Sequence, residues 1–393
     1  MELRKLEVSA RAGKISRDIE EAVNTAVRGY DRIKGRLRIG GRKANYDDEA
    51  YEFIGGAKDS LRVKHYDKSL RLLWKAQEHT PWLPFRDCTN AERDMLDMAM
   101  RSLTKEEQEA RRRIAMPEYR EMLNKTYTRR QKEAIVHILA SIGHGEAYAW
   151  LVSADLLNQV KSTGGRSALT MQVLEEAKHF IVLRELLQAF DVPIRRQSAW
   201  EYLLLEMVHK SKGIEKFFGM NVVVESIALG FFGQMSELPG LDVLRLFHLD
   251  EARHTALPGN YLKEFPMTRW QKHNPVAKLR RLRLILPALA LIPLLEEDMA
   301  ELGIDAFVFG GSVIRKIGTL AERAGFHLPV GNDVLFKRLN LLFNNYCKAT
   351  RRGHVWQDFL GGEATTGARE LAVEREIFDQ TFTMPEPEIS LVH

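Results

Sequence analysis

The sequence predicts an all-α protein, a four-helix bundle built around a site for two metal ions. Three observations predict it. Glutamates fall on apolar stripes of helical period, where an unpaired carboxylate is costly. Two of them sit in the matching stretches Glu175-Glu176-Ala177-Lys178-His179 and Asp250-Glu251-Ala252-Arg253-His254. No segment alternates with period two over a useful length, so no sheet is expected. Carboxylate and imidazole at i and i+3 leave a helix on one face. A dimetal bundle needs one further Glu from each of two other helices. Glu146, 30 residues before Glu176, and Glu225, 26 before Glu251, supply them one helix and a turn upstream.

The elements follow in order. The first 43 residues carry 12 Lys/Arg against 6 Asp/Glu, so the formal charge of +5 is concentrated there. Arg32 to Asn45 is rich in glycine and basic residues and reads as irregular. Residues 1–66 are therefore a basic arm, sparse in aromatic residues. That favours a solvated extension over a nucleic-acid surface. Helical spacing starts near Asp67 with Leu70, Leu73 and Trp74, and Thr80-Pro81-Trp82-Leu83-Pro84 breaks it. Thr104 with Glu107, Thr128 with Gln131 and Ser198 with Glu201 are capping boxes that open helices.

The helix after Thr128 carries Ile135, Ile138, Leu139, Ile142 and Ala149 on one stripe with Glu146. In the next, Leu169, Val173, Phe180, Leu183 and Leu187 form the stripe that holds Glu176. Phe218, Val222, Leu229 and Phe232 make the third, with Glu225. Val243, Leu244 and Phe247 share the fourth with Glu251 and His254, capped by Asp242 and stopped at Pro258-Gly259. Residues 67–262 form the bundle. Residues 263–393 form a helical cap, with helices near 275–301, 305–325 and 333–351, and a polar tail containing Pro385 and Pro387.

Composition narrows the function. With 45% hydrophobic and 28% charged residues the chain is of soluble type. Two cysteines, Cys88 and Cys347, exclude a disulfide framework or a cysteine zinc site and fit the cytoplasm. The longest apolar run, Leu284 to Leu295, holds Pro287 and Pro293 and is too short for a transmembrane segment; its basic approach leaves a membrane-surface reading open. Phosphate-loop and dinucleotide fingerprints and HExxH are absent.

The metal chemistry needs these residue types. Two divalent cations a few ångström apart repel, so carboxylates must neutralise and bridge them. One neutral imidazole per ion suits iron or manganese and leaves positions for O2. Glu175 and Asp250 can each accept a hydrogen bond from the histidine of the opposite pair, with Lys178 and Arg253 balancing their charge. His248, one turn before Glu251, can add a seventh ligand or serve as a buried structural histidine. A third Glu-x-x-His, Glu206 to His209, lacks the preceding acid and reads as a helix-surface pair. His137 and His144 do not share the Glu146 face.

These residues resemble the di-iron carboxylate branch of the ferritin-like superfamily, which holds ribonucleotide reductase small subunits, acyl-carrier-protein desaturases, multicomponent monooxygenases and arylamine N-oxygenases. The resemblance spans about residues 67–256, including Leu73-Trp74-Lys75-Ala76-Gln77-Glu78-His79-Thr80-Pro81-Trp82 and Glu92-Arg93. It implies that Glu146, Glu176, His179, Glu225, Glu251 and His254 are metal ligands and catalytic residues, backed by Glu175 and Asp250. The chain departs from each subfamily. Leu183 stands where a radical-storing small subunit has Tyr, and Met220 where related oxidases have a crosslinked Tyr. Ala228 and Leu229 stand where monooxygenases and desaturases place Thr. Arylamine N-oxygenases, the nearest in spirit, carry a further His at the place of Phe247, with His248 one position off.

The expected function is an O2-dependent oxidoreductase holding two iron ions, Fe/Fe or Mn/Fe. It oxidises a small organic substrate by N-oxygenation, hydroxylation or desaturation. Phe180, Phe217, Phe218, Phe231 and Phe232 are candidates for its pocket or for plain core. Electrons must come from an external ferredoxin or reductase, for which the basic arm offers a docking place. A homodimer is the base-rate expectation. Two other functions fit the sequence: a rubrerythrin-like ferroxidase or peroxidase, and a non-enzymatic helical scaffold that binds a partner through the basic arm.

Overall fold

A computed structural model describes Leu3, residues 5–37, 117–161 and 163–361, and Leu371, Ala372, Glu374, Arg375 and Phe378. The expected helices near Asp67 and Thr104, Cys88, the segment around Trp74 and Glu92, and the tail prolines lie outside these residues. Among the described residues every regular element is helical and no strand occurs.

The helices are α1 (Ala10–Arg36), α2 (Pro117–Thr126), α3 (Arg129–Leu156), α4 (Thr163–Ala189) and α5 (Ala199–Lys210). After them come α6 (Ile214–Met235), α7 (Leu244–Glu264), α8 (Arg269–His273), α9 (Pro275–Glu301), α10 (Ala306–Arg323) and α11 (Asn332–Thr350). Both described capping boxes form: Thr128 accepts from the Gln131 amide at the head of α3, and Ser198 from the Glu201 amide at the head of α5. Each satisfies amide donors that a helix start leaves free.

α3 lies along α4 and α6 along α7, and the two pairs face each other. α9 packs across α3, α5 and α10, closing the core from one side. α2 pins the turn between α6 and α7, where the Tyr127 hydroxyl donates to the Pro239 carbonyl at 2.7 Å and Tyr119 to that of Gly240. Gly240 has φ +81°, a conformation that suits glycine. Arg281, fully buried on α9, forks onto Glu215 at 3.0 and 2.8 Å and donates to the carbonyls of Gln271 and His327.

Several expectations are corrected. Arg32–Arg36 are helical, not irregular: the described part of the basic arm holds an amphipathic helix, α1, that packs on α9 and α5, with Ala12 buried and Arg17 paired with Glu297. Val243, not Asp242, occupies the N-cap of α7, and no side chain caps it. Pro258 does not stop α7, which runs on to Glu264. A proline inside a helix frees the carbonyl four residues earlier, here that of His254. The Asn221 amide takes that carbonyl at 3.1 Å.

α6 holds a seven-residue π-helical stretch, Phe218–Val224, immediately before Glu225. α6 is also the one helix among the described residues long and apolar enough to cross a membrane, and it is largely buried inside the protein.

Candidate metal centre

Six side chains from four helices converge: Glu146 from α3, Glu176 and His179 from α4, Glu225 from α6, and Glu251 and His254 from α7. All are buried. They form two overlapping groups, Glu146, Glu176, His179, Glu251 and Glu176, Glu225, Glu251, His254, with the ligand atoms of each group within 4.8 Å of one another. Glu176 and Glu251 belong to both. The spacing of three residues turns each imidazole to its glutamate's face, which is why both pairs point inward.

In the first group His179 Nδ1 lies 3.0 Å from Glu251 Oε1, 3.4 Å from Glu146 Oε2 and 3.7 Å from Glu176 Oε2. These four atoms are buried and none has a hydrogen-bond partner. In the second, His254 Nδ1 lies 3.2 Å from Glu176 Oε1, 3.2 Å from Glu251 Oε2 and 3.8 Å from Glu225 Oε1. The opposite ring nitrogens are held crosswise. His179 Nε2 is 3.1 Å from Asp250 on α7, and His254 Nε2 is 2.8 Å from Glu175 on α4. Each carboxylate fixes the tautomer that leaves Nδ1 free to bind a cation. Lys178 bonds Asp250 at 2.9 Å, and Arg253 bonds both Glu175 and Asp250.

Electrostatics give the cluster its demand for cations. Burial raises the carboxyls of Glu146 and Glu225 well above the usual range, and the charges of Glu176 and Glu251 add to it. Burial opposes charge on Glu176 too, but His254 and His179 outweigh it and hold that carboxyl low. Burial likewise works against a charged His179, yet its bond to Asp250 and the carboxylates of Glu146, Glu176 and Glu251 around it raise its pKa well above the ordinary value. His254 is raised by Glu251, Glu176 and Glu175 against the same desolvation. Protons thus stand where cations fit. Four glutamates match two divalent ions, and Lys178 and Arg253 match Asp250 and Glu175. The residues fit such a pair in charge, donor type and orphaned donor atoms.

No family model, curated protein or solved structure matches the chain.

The remaining predicted residues lie elsewhere. His248 is in neither group: its Nδ1 is 3.0 Å from the Leu229 carbonyl and its Nε2 3.2 Å from Glu374. Glu206 pairs with Lys210, and His209 packs edge-on to Tyr148. His137 meets Asp298 at 3.3 Å and His144 meets Glu201 at 3.2 Å. Phe247 stacks on the His179 ring at 4.3 Å, with Phe232 edge-on to both. Of the five candidate phenylalanines, Phe231 lines a cavity of about 50 Å³ with Glu146 and Glu225 in its wall.

Two residues escaped the sequence reading. Gln172 bonds Glu225 at 2.8 Å and Glu176 at 3.3 Å through its amide, and accepts from Asn221 at 2.8 Å. The signal was available: each amide stands four residues before a glutamate, Gln172 before Glu176 and Asn221 before Glu225. Gln172 bonds the second group, so the two groups are chemically inequivalent.

Proposed function

We propose that the chain is a carboxylate-bridged dimetal oxidoreductase of the ferritin-like four-helix kind. It takes two iron ions, as Fe/Fe or Mn/Fe, and uses O2 to oxidise a small organic substrate by N-oxygenation, hydroxylation or desaturation. The supporting observation is that Glu176 and Glu251 are shared between two ligand groups that each contain one histidine. Sharing is what two adjacent cations require, whereas a structural ion-pair network gains nothing by placing four buried glutamates together.

When bound, such a metal pair supplies electrons to O2 and Lewis acidity at positions the protein leaves open. The chain's own residues set the conditions. Asp250 and Glu175 hold the histidines in one tautomer. Phe232 and Phe247 cover His179 and exclude water from that edge. The cavity beside Glu146 and Glu225 brings an organic molecule against the ligand carboxylates, which a ferroxidase or peroxidase does not need. Electrons come from an external ferredoxin or reductase.

Metal content of the purified protein, followed by anaerobic Fe(II) loading and an optical spectrum on adding O2, tests this reading. About two irons per chain with a transient visible band is the expected result, and Glu176→Ala abolishes both. A protein that holds no iron and takes up none refutes it and favours the scaffold.

A further inference from the structure

Next to the cavity beside Glu146 and Glu225 lies a second, of about 40 Å³, between α6, α9 and α10; Ile227, Phe231, Leu291 and Leu295 line both. The second cavity is lined wholly by apolar residues, from Ile285 and Leu289 on α9 to Val313 and Ile317 on α10. The first carries Ser141 and Glu201 in its wall, on α3 and α5. Natural interiors keep few voids larger than a water molecule, and an apolar void of this kind stays dry and takes up apolar ligands.

Glu201 states what head group is tolerated. Its buried carboxylate accepts from the Ser141 hydroxyl at 2.6 Å, from His144 Nδ1 at 3.2 Å and from the Ser198 amide at 3.2 Å. A carboxylate offers about four acceptor positions, so one is left for an O–H or N–H donor. An anionic head would set its charge against the buried Glu201 carboxylate.

We propose that the substrate carries an alkyl chain whose end passes Phe231 into the second cavity, and a neutral hydrogen-bond donor that reaches Glu201. This deepens the dimetal reading and rests on it for calling the ligand a substrate, but the binding itself needs no metal.

The test is calorimetric titration of the metal-free protein with n-alkanols and the matching alkanoic acids. Affinity for the alkanols should rise about four-fold per added CH2 until the second cavity is full, and the acids should bind more weakly at every length. Ile317→Phe and Leu289→Trp fill the second cavity from its two walls. Each should stop the rise at a shorter chain while leaving short alkanols unaffected. Glu201→Gln keeps the capping box, since glutamine serves at that position, and should shrink the preference for alcohol over acid. Affinities flat with chain length, or both filling variants tracking the wild type, overturn the proposal. Iron uptake with a flat chain-length profile defeats this inference alone; chain-length dependence without iron uptake defeats the dimetal reading alone.

Discussion

Asp250→Asn probes the crosswise holding of the histidines. Asp250 follows the chain of α7 yet accepts from His179 on α4, and His179 belongs only to the group containing Glu146. The substitution keeps the shape and removes the charge. Its bond to Lys178 is a minor part of the loss, because that lysine is 41% exposed and exposed pairs contribute little. The bond to the fully buried His179 dominates. Loss of such a partner weakens metal binding 10- to 100-fold, or about 1.4–2.8 kcal/mol, and the loss should fall on one ion. Mn(II) titration of metal-free protein, followed by electron paramagnetic resonance, resolves the two binding steps. Asp250→Asn should weaken one step, and Glu175→Gln the other through His254. Arg253 bonds both acids, so the double variant should depart from additivity by about 0.5–3 kcal/mol. If Asp250→Asn weakens both steps equally or leaves both unchanged, the crosswise assignment is refuted.

The pH dependence has a definite sign. Glu146 and Glu225 are raised by burial, so the folded metal-free protein keeps protons that the unfolded chain has released above the ordinary carboxylate range. Their stabilisation is therefore present at low pH and lost as pH rises through the folded values, and the raised His179 and His254 act in the same sense. Above the ordinary carboxylate range, where the lowered Glu176, Asp250 and Glu251 no longer oppose it, thermal scans should show Tm of the metal-free protein falling with rising pH, and metal should remove that fall; a rising Tm there would count against it. Asn221→Ala leaves the His254 carbonyl and the Gln172 side-chain oxygen without this buried donor and should cost about 1–3 kcal/mol in urea denaturation, together with weaker binding at the His254 ion. Arg281→Met strands Glu215 and two carbonyls, and should lower stability by about 3–5 kcal/mol with metal stoichiometry unchanged.

The convergence of the six buried side chains was legible because its signal is local. Glu-x-x-His fixes two side chains on one face, and the apolar stripes fixed which face is inward. Helix starts marked by Thr128 and Ser198 were legible for the same reason, since a capping box is complete within four residues. What failed depended on partners far along the chain. Pro258 reads as a stop because the residue that takes up the freed carbonyl, Asn221, lies 33 positions away. His248 reads as a ligand candidate by spacing, yet Leu229 and Glu374 claim both its nitrogens. The basic arm reads as solvated from charge alone, because its partner α9 is nearly 300 residues downstream.

The π-helical stretch in α6 gives this site an unusual form of heredity. A π turn is an α-helix with one residue more than its winding needs. Each α-helical residue advances the direction of the side chain by about 100°. Loss of one codon between Phe218 and Val224 would therefore restore ordinary winding and leave Glu225 facing Glu176 and Glu251, whereas a further insertion that no bulge absorbed would swing that glutamate away. This one stretch of α6 can lose a residue that an ordinary turn could not spare.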